Sequence, residues 1–420
     1  MASFSFFALG LIGILFGQYT RVINADNSID RRYGRSEVIL PIYDDDGADN
    51  STNLFRNAKD MIVLSQYIYG HAAMVEGAQE VKRLFGKDKP KNVQLLESIS
   101  ASNDKSVDDF LRIFDENDKV IKDSDRKVRE AAKVISDDLD EGHATHALKD
   151  SIVLSIHAEP EDIKQSCVYA VTVNHNLKRV SVIFRGTSNM GDWIKDAIVF
   201  MKRVDNPVKK LVSSSPSRIG IHGGFAAVLL REEKMKDTLD EVKSYLKDLE
   251  GYRLFVTGHS LGGALATLFG FYAAADDGII NSIVGPVSLF SVSSPRVGNK
   301  YFGYAFKDLE NQGRLRHARI HNAQDKVTKL PYIGGAYRHV GLEMRLRPMI
   351  SNLPPLLDYP LTTQWEQNGH SLWNDIITLH DALRLHGCDL ILVRLKLFRA
   401  EFEETTLEKE YKTVWGFESS

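Results

Sequence analysis

The run Val256-Thr257-Gly258-His259-Ser260-Leu261-Gly262-Gly263 constrains the fold of this chain more than any other stretch. An apolar segment of strand character, Leu254-Phe255-Val256, leads into it, and helical periodicity from Leu261 to Ala275 leads out. A serine on so tight a strand-to-helix turn takes up a strained backbone conformation. Glycines two residues to either side remove the Cβ atoms that would clash there. The seryl Oγ is then lifted above a sheet, beside the N–H groups at a helix N-terminus. Five residues of common types recur by chance, so the strand before and the helix after are what make Ser260 a candidate nucleophile. The plainer reading of the same residues is a glycine-rich turn that lets a helix pack close to a sheet.

The pattern around this turn gives the fold class. Val168–Val173 and Arg179–Phe184 read as strands joined by a turn at Asn174-His175-Asn176. Further strands are expected at Val287–Val292 and Leu315–Ile320, with helical patterns at Glu232–Leu249 and Leu261–Ala275. Strands alternating with helices predict an α/β fold over residues 151–420, with a mostly parallel central sheet and helices on both faces. Residues 26–150 read as a linker and a helical extension. The linker holds Asp44-Asp45-Asp46-Gly47. Helical spacing then runs from Leu54 to Tyr69 and recurs around Val93–Ile99, Val107–Phe114 and Val128–Leu139. Residues 1–25 read as a signal peptide: Phe4–Phe16 is apolar, uncharged and too short to span a bilayer, and Ala25 offers a small residue for cleavage. The expected route is the secretory pathway, secreted or lumenal, with which the sequon Asn50-Ser51-Thr52 is compatible.

Charge and cysteine content exclude several classes. Lys and Arg number 53 against 56 Asp and Glu, a net charge of −3, which points to no nucleic-acid partner. Two cysteines, Cys167 and Cys388, make no disulfide framework and read as two thiols. No His-x-x-x-His pair on one helix offers a metal site, so neither metal nor organic cofactor is expected.

Five further motifs stand in order around the serine turn: Phe184-Arg185-Gly186-Thr187, His222-Gly223-Gly224-Phe225, Ser294 to Asn299, Asp325 to Pro331, and Tyr337 to Glu343. Together with Gly258–Gly263 they resemble the class 3 lipases, a family of fungal triacylglycerol lipases, plant phospholipases and diacylglycerol lipases. The resemblance covers roughly residues 165–405 and implies the α/β-hydrolase fold. It implies an oxyanion hole built from the backbone N–H groups of Thr187 and Leu261. It also implies a lid after Thr187, where Trp193, Ile194, Ala197, Ile198 and Met201 share one helical face. A helix packed on the body explains the same stripe.

In this fold the triad runs Ser, then Asp or Glu, then His. Asp325 follows the Leu315–Ile320 strand, where the acid is presented, although Thr328 stands where the family carries proline. His339 belongs to a family motif, but relatives take their base from further along, which leaves His386, His380 and His370. His386 is preferred, because Gly387 breaks the pattern just ahead of a last helix expected over Leu390–Phe402. The implied activity is hydrolysis of carboxylic esters in acylglycerols or related glycerolipids through an acyl-enzyme. The implied partner is a lipid ester at a lipid–water interface, with peripheral membrane or lipid-droplet contact. An esterase on non-lipid esters and a lipase-like binding protein without catalysis are the competing readings.

Overall fold

The computed structural model describes residues 53–85, 151–157, 167–186, 200–231, 233–323, 325–331, 335–346, 356–358 and 385–415. Helix α1 spans Leu54–Phe85. Strands β1 (Ser151–His157), β2 (Tyr169–Asn174) and β3 (Arg179–Phe184) follow, then a separate antiparallel pair, β4 (Met201–Asp205) and β5 (Arg218–His222). Helices α2 (Gly223–Leu229) and α3 (Lys234–Leu246) lead to β6 (Arg253–His259) and α4 (Leu261–Ala275). Next come β7 (Val287–Val292), α5 (Lys300–Asn311), β8 (Leu315–Asn322), β9 (Leu342–Leu346) and β10 (Leu356–Asp358). The chain closes with α6 (Cys388–Leu397), α7 (Arg399–Glu403) and α8 (Leu407–Trp415).

Eight strands form one sheet in the order β1-β2-β3-β6-β7-β8-β9-β10. From β3 to β9 every pairing is parallel; β1, β2 and β10 join antiparallel at the two edges. The β2–β3 hairpin turns where the sequence places it, with Asn174 Oδ1 accepting the Leu177 N–H at 2.9 Å. This is the mostly parallel α/β sheet that the alternating pattern predicts.

Strand period decides what covers each face. Leu254 and Val256 pack with α3, α4 and α5, while Phe255 between them packs with α1 and the C-terminal helices. Helix α4 is the central element, with twelve of its fifteen residues buried. The helical spacing at Leu54–Tyr69 turns out to bury Leu54, Ala58, Met61, Ile62 and Ile68 against the other face of the sheet, so its covering begins well ahead of the first strand. An ion pair within this layer, Asp60 Oδ2 to Arg179 on β3 at 2.8 Å, is buried on both sides.

The last helix differs from the continuous one expected over Leu390–Phe402. It breaks at Phe398, whose N–H turns back to Leu395 O at 3.1 Å, and the new axis of α7 carries Phe402 into the core. Cys167 and Cys388 are separate buried thiols. Among the described residues no helix is long and apolar enough to cross a membrane. The apolar run Phe4–Phe16 and residues 187–199 lie outside the described residues, but Met201, expected on the helical face with Trp193, is the first residue of β4, because it pairs with His222 in the antiparallel ladder.

Candidate active site

Ser260 joins β6 to α4 with φ 58° and ψ −125°, a conformation strained for any residue with a Cβ. Its N–H donates to Val292 O at 2.9 Å, which ties the turn to the carboxyl end of neighbouring β7. The tightness depends on bare backbone. A Cβ on Gly258 would lie 2.4 Å from Gly262 O, and one on Gly262 would lie 2.2 Å from Phe184 O and 2.8 Å from Gly186 N. Glycine is required at both places because strand, helix and the loop after β3 touch there main chain to main chain. Leu261 opens the first turn of α4, so its N–H belongs to the helix terminus facing this loop. Thr187, the other expected oxyanion donor, lies outside the described residues, as do His370 and His380.

Asp325 stands three residues past the end of β8 and is 1% exposed. Its Oδ2 accepts the Nδ1–H of His386 at 2.9 Å, and its Oδ1 accepts the Val327 N–H at 2.9 Å. Burial pushes the carboxyl up. The charge and hydrogen bond of His386 outweigh that and hold it below the usual carboxylate range. A carboxylate only accepts, so in its neutral form His386 keeps its hydrogen on Nδ1 and leaves Nε2 free to take a proton. That Nε2 is buried and has no hydrogen-bond partner among the described residues. Two expected site residues 61 positions apart are thereby brought together at the edge of the sheet that also carries Ser260.

Two residues that sequence reasoning did not single out hold the main chain of His386. Asn322 Nδ2 donates to Leu385 O at 2.7 Å, and His259 Nε2 donates to His386 O at 2.8 Å. The His259 and His386 rings lie 4.6 Å apart. His259 stood inside the serine motif, which was the one available signal; Asn322 had none beyond its place at a strand end. Thr328, in the family's proline position, donates its Oγ1–H to Asp325 O at 2.9 Å and closes the acid turn. His339 is spent on structure, its Nε2 donating to Thr328 O at 2.7 Å. Beside it Glu343 gathers His321 at 2.8 Å, Arg345 at 2.9 Å and Arg319 at 3.2 Å. Among the described residues no three His, Cys, Asp or Glu side chains are grouped to hold a metal ion.

Three histidines are kept neutral chiefly by burial: His259 is pushed down to about 3, and His317 and His339 well below their ordinary range. The unfolded chain binds protons at these sites that the folded chain refuses. Stability therefore rises with pH between the depressed values and the ordinary histidine value near 6.5, and falls as pH drops through that window. His259 removes about 2 kcal/mol by pH 5, since one pH unit is worth about 1.4 kcal/mol per proton, and His317 and His339 act in the same direction. Urea unfolding at pH 7.5 and pH 5 checks this; equal midpoints would refute it.

Residues 181–335 match the model of the family described as Lipase (class 3). "Phospholipase A1-II 1" of Oryza sativa subsp. indica is 32% identical over 181 residues, covering 40% of this chain and 42% of the relative. "Secreted mono- and diacylglycerol lipase 1" of Fusarium solani is 30% identical over 173 residues, covering 41% and 45%. "Lipase" of Rhizopus niveus is 31% identical over 176 residues, covering 42% and 41%. The chain thus spans less than half the length of each of these relatives. The matched residues take in most of β3, the serine turn and the Asp325 loop, and over them the chain is similar to the class 3 lipase family.

Proposed function

We propose that this protein is a carboxylic ester hydrolase that cleaves acylglycerols or related glycerolipids with Ser260 as nucleophile, His386 as base and Asp325 as the acid. The observation that carries the reading is the Asp325–His386 pair together with a serine in a strained strand-to-helix turn, whose neighbour His259 hydrogen-bonds the His386 carbonyl. His386 Nε2 takes the Ser260 proton as Oγ attacks the ester carbonyl, and the N–H groups of Leu261 and Thr187 receive the oxyanion. The tetrahedral intermediate collapses, and the leaving alcohol takes the proton back from His386. Water, deprotonated by the same nitrogen, then attacks the acyl-Ser260 ester and releases the fatty acid. The names of the relatives, a phospholipase A1 and two lipases, support glycerolipid esters as the substrate class. Contact with a lipid–water interface and passage through the secretory pathway, with residues 1–25 removed, belong to the same proposal.

A fluorophosphonate probe tests it. Label is expected on Ser260, and it is expected to vanish in Ser260→Ala and in His386→Ala while His370→Ala and His380→Ala retain it. A folded wild-type chain that stays unlabelled, with detergent or lipid present, would sink the hydrolase reading. Faster turnover of dispersed glycerolipid than of soluble short-chain esters supports a lipid substrate; the reverse order would favour a non-lipid esterase.

A further inference from the structure

Tyr69 lies on α1, 190 residues before His259 and outside the residues that match the family model. Its hydroxyl is 3.1 Å from His259 Nδ1, while His259 Nε2 is 2.8 Å from His386 O. A carbonyl oxygen only accepts, so His259 carries its hydrogen on Nε2. Burial first, and then the neighbouring His386, keep His259 neutral, so its Nδ1 presents a lone pair, and the Tyr69 O–H donates to it at 3.1 Å in preference to the more distant His259 O at 3.4 Å. The tautomer of His259 is thus set by partners on both sides. The same hydroxyl fills the space beside Gly186, where a Cβ would lie 2.0 Å from it. One phenolic oxygen therefore abuts the loop leading to Thr187, pairs with the residue before the nucleophile and reaches the main chain of His386 through that residue.

We propose that Tyr69 is a positioning residue for ester hydrolysis, acting through a relay in which Tyr69 donates to His259 and His259 donates to the carbonyl of His386. The relay holds the His386 main chain in the place from which its Nδ1 reaches Asp325. Asp325 fixes the imidazole from one side, Asn322 fixes Leu385, and His259 fixes His386 itself. The inference rests on the assignment of Ser260 and His386 as nucleophile and base. It gives α1 a part in the reaction besides covering the sheet. Upstream of Tyr69, buried Met61, Ile62 and Leu64 anchor the helix, so loss of one hydroxyl leaves the packing in place.

The test uses the full chain, a soluble p-nitrophenyl butyrate substrate and the fluorophosphonate probe. Tyr69→Phe is expected to lower kcat and the labelling rate about fivefold, the scale of one hydrogen bond, with KM within about twofold and an unchanged thermal midpoint. His259→Gln, which keeps an N–H near the Nε2 position, is expected to retain most of the rate that His259→Leu loses. In the His259→Leu background Tyr69→Phe is expected to add less than about twofold, because the relay is already cut. Should His259→Leu fail to fold, Tyr69→Phe and His259→Gln decide alone. Wild-type kcat in Tyr69→Phe, or the same loss in both backgrounds, overturns the inference. So does a loss of rate that merely follows a loss of thermal stability. If wild type fails to label at Ser260, the underlying hydrolase reading falls instead, and the two failures are distinct.

Discussion

Replacing Asp325 with asparagine is expected to lower kcat by about 10⁴-fold while leaving the fold and KM nearly unchanged. The size of the loss follows from which way the amide must face. Oδ1 of Asp325 accepts the Val327 N–H at 2.9 Å, and Oδ2 accepts the His386 Nδ1–H at 2.9 Å. An asparagine has one oxygen, and the Val327 N–H claims it. The NH2 group is then turned toward His386, where it donates to Nδ1 and drives the hydrogen to Nε2. In that tautomer the histidine has no lone pair to take the serine proton, and the imidazolium formed during attack loses its counter-charge as well. Steady-state kinetics on a soluble ester, with circular dichroism to confirm the fold, checks the outcome. A loss under about tenfold would remove Asp325 from the proposed triad.

The second large effect lies away from the reacting atoms. Asp60→Ala is expected to destabilise the protein by about 3–5 kcal/mol, because it strands a buried charge. Asp60 on α1 and Arg179 on β3 meet at 2.8 Å, with side chains 4% and 2% exposed. Arg253 comes to the same place: both guanidiniums stack on Phe255, at 5.2 and 5.5 Å from its centroid. Without Asp60 two like charges share one aromatic ring without the carboxylate beside Arg179 that balances them. Asp60→Leu with Arg179→Met removes the pair together and is expected to recover most of the loss, since matched apolar groups leave no orphaned charge. Urea unfolding of the two variants measures this. A loss under about 1 kcal/mol in Asp60→Ala would show that water reaches the guanidinium and that the pair does not lock α1 to the sheet.

How much of this was legible in the sequence depends on the range of each interaction. β2, β3, β6 and β7 were readable because each is a short run rich in β-branched and aromatic residues, apolar enough to be buried on both sheet faces. β4, Met201–Asp205, escaped notice because Lys202, Arg203 and Asp205 are all exposed and the strand shows no alternation. The helical spacing at Leu54–Tyr69 was visible, but what its apolar stripe covers was not, since its partners Phe255, Phe290 and Ile320 lie roughly two hundred residues on. In the candidate site, the residue types and their order around Ser260 and Asp325 were legible, and the base was left among three histidines. Asn322 and His259 act on His386 through carbonyl oxygens, and a main-chain acceptor carries no residue signature.

By itself the sequence determined the strand–turn–helix around Ser260, because the requirement is local: glycines at 258 and 262 where backbones touch, an apolar strand before, a helix after. It determined the α/β class as well, since the periods of 2 and 3.6 are properties of neighbouring residues. Only the tertiary structure decided that His386 faces Asp325, that α1 is held by Asp60 and that Tyr69 stands behind the serine turn. Each of these joins residues 61, 119 and 190 positions apart. Such pairings follow from how the helices dock on the two faces of the twisted sheet, and no short-range pattern records that docking.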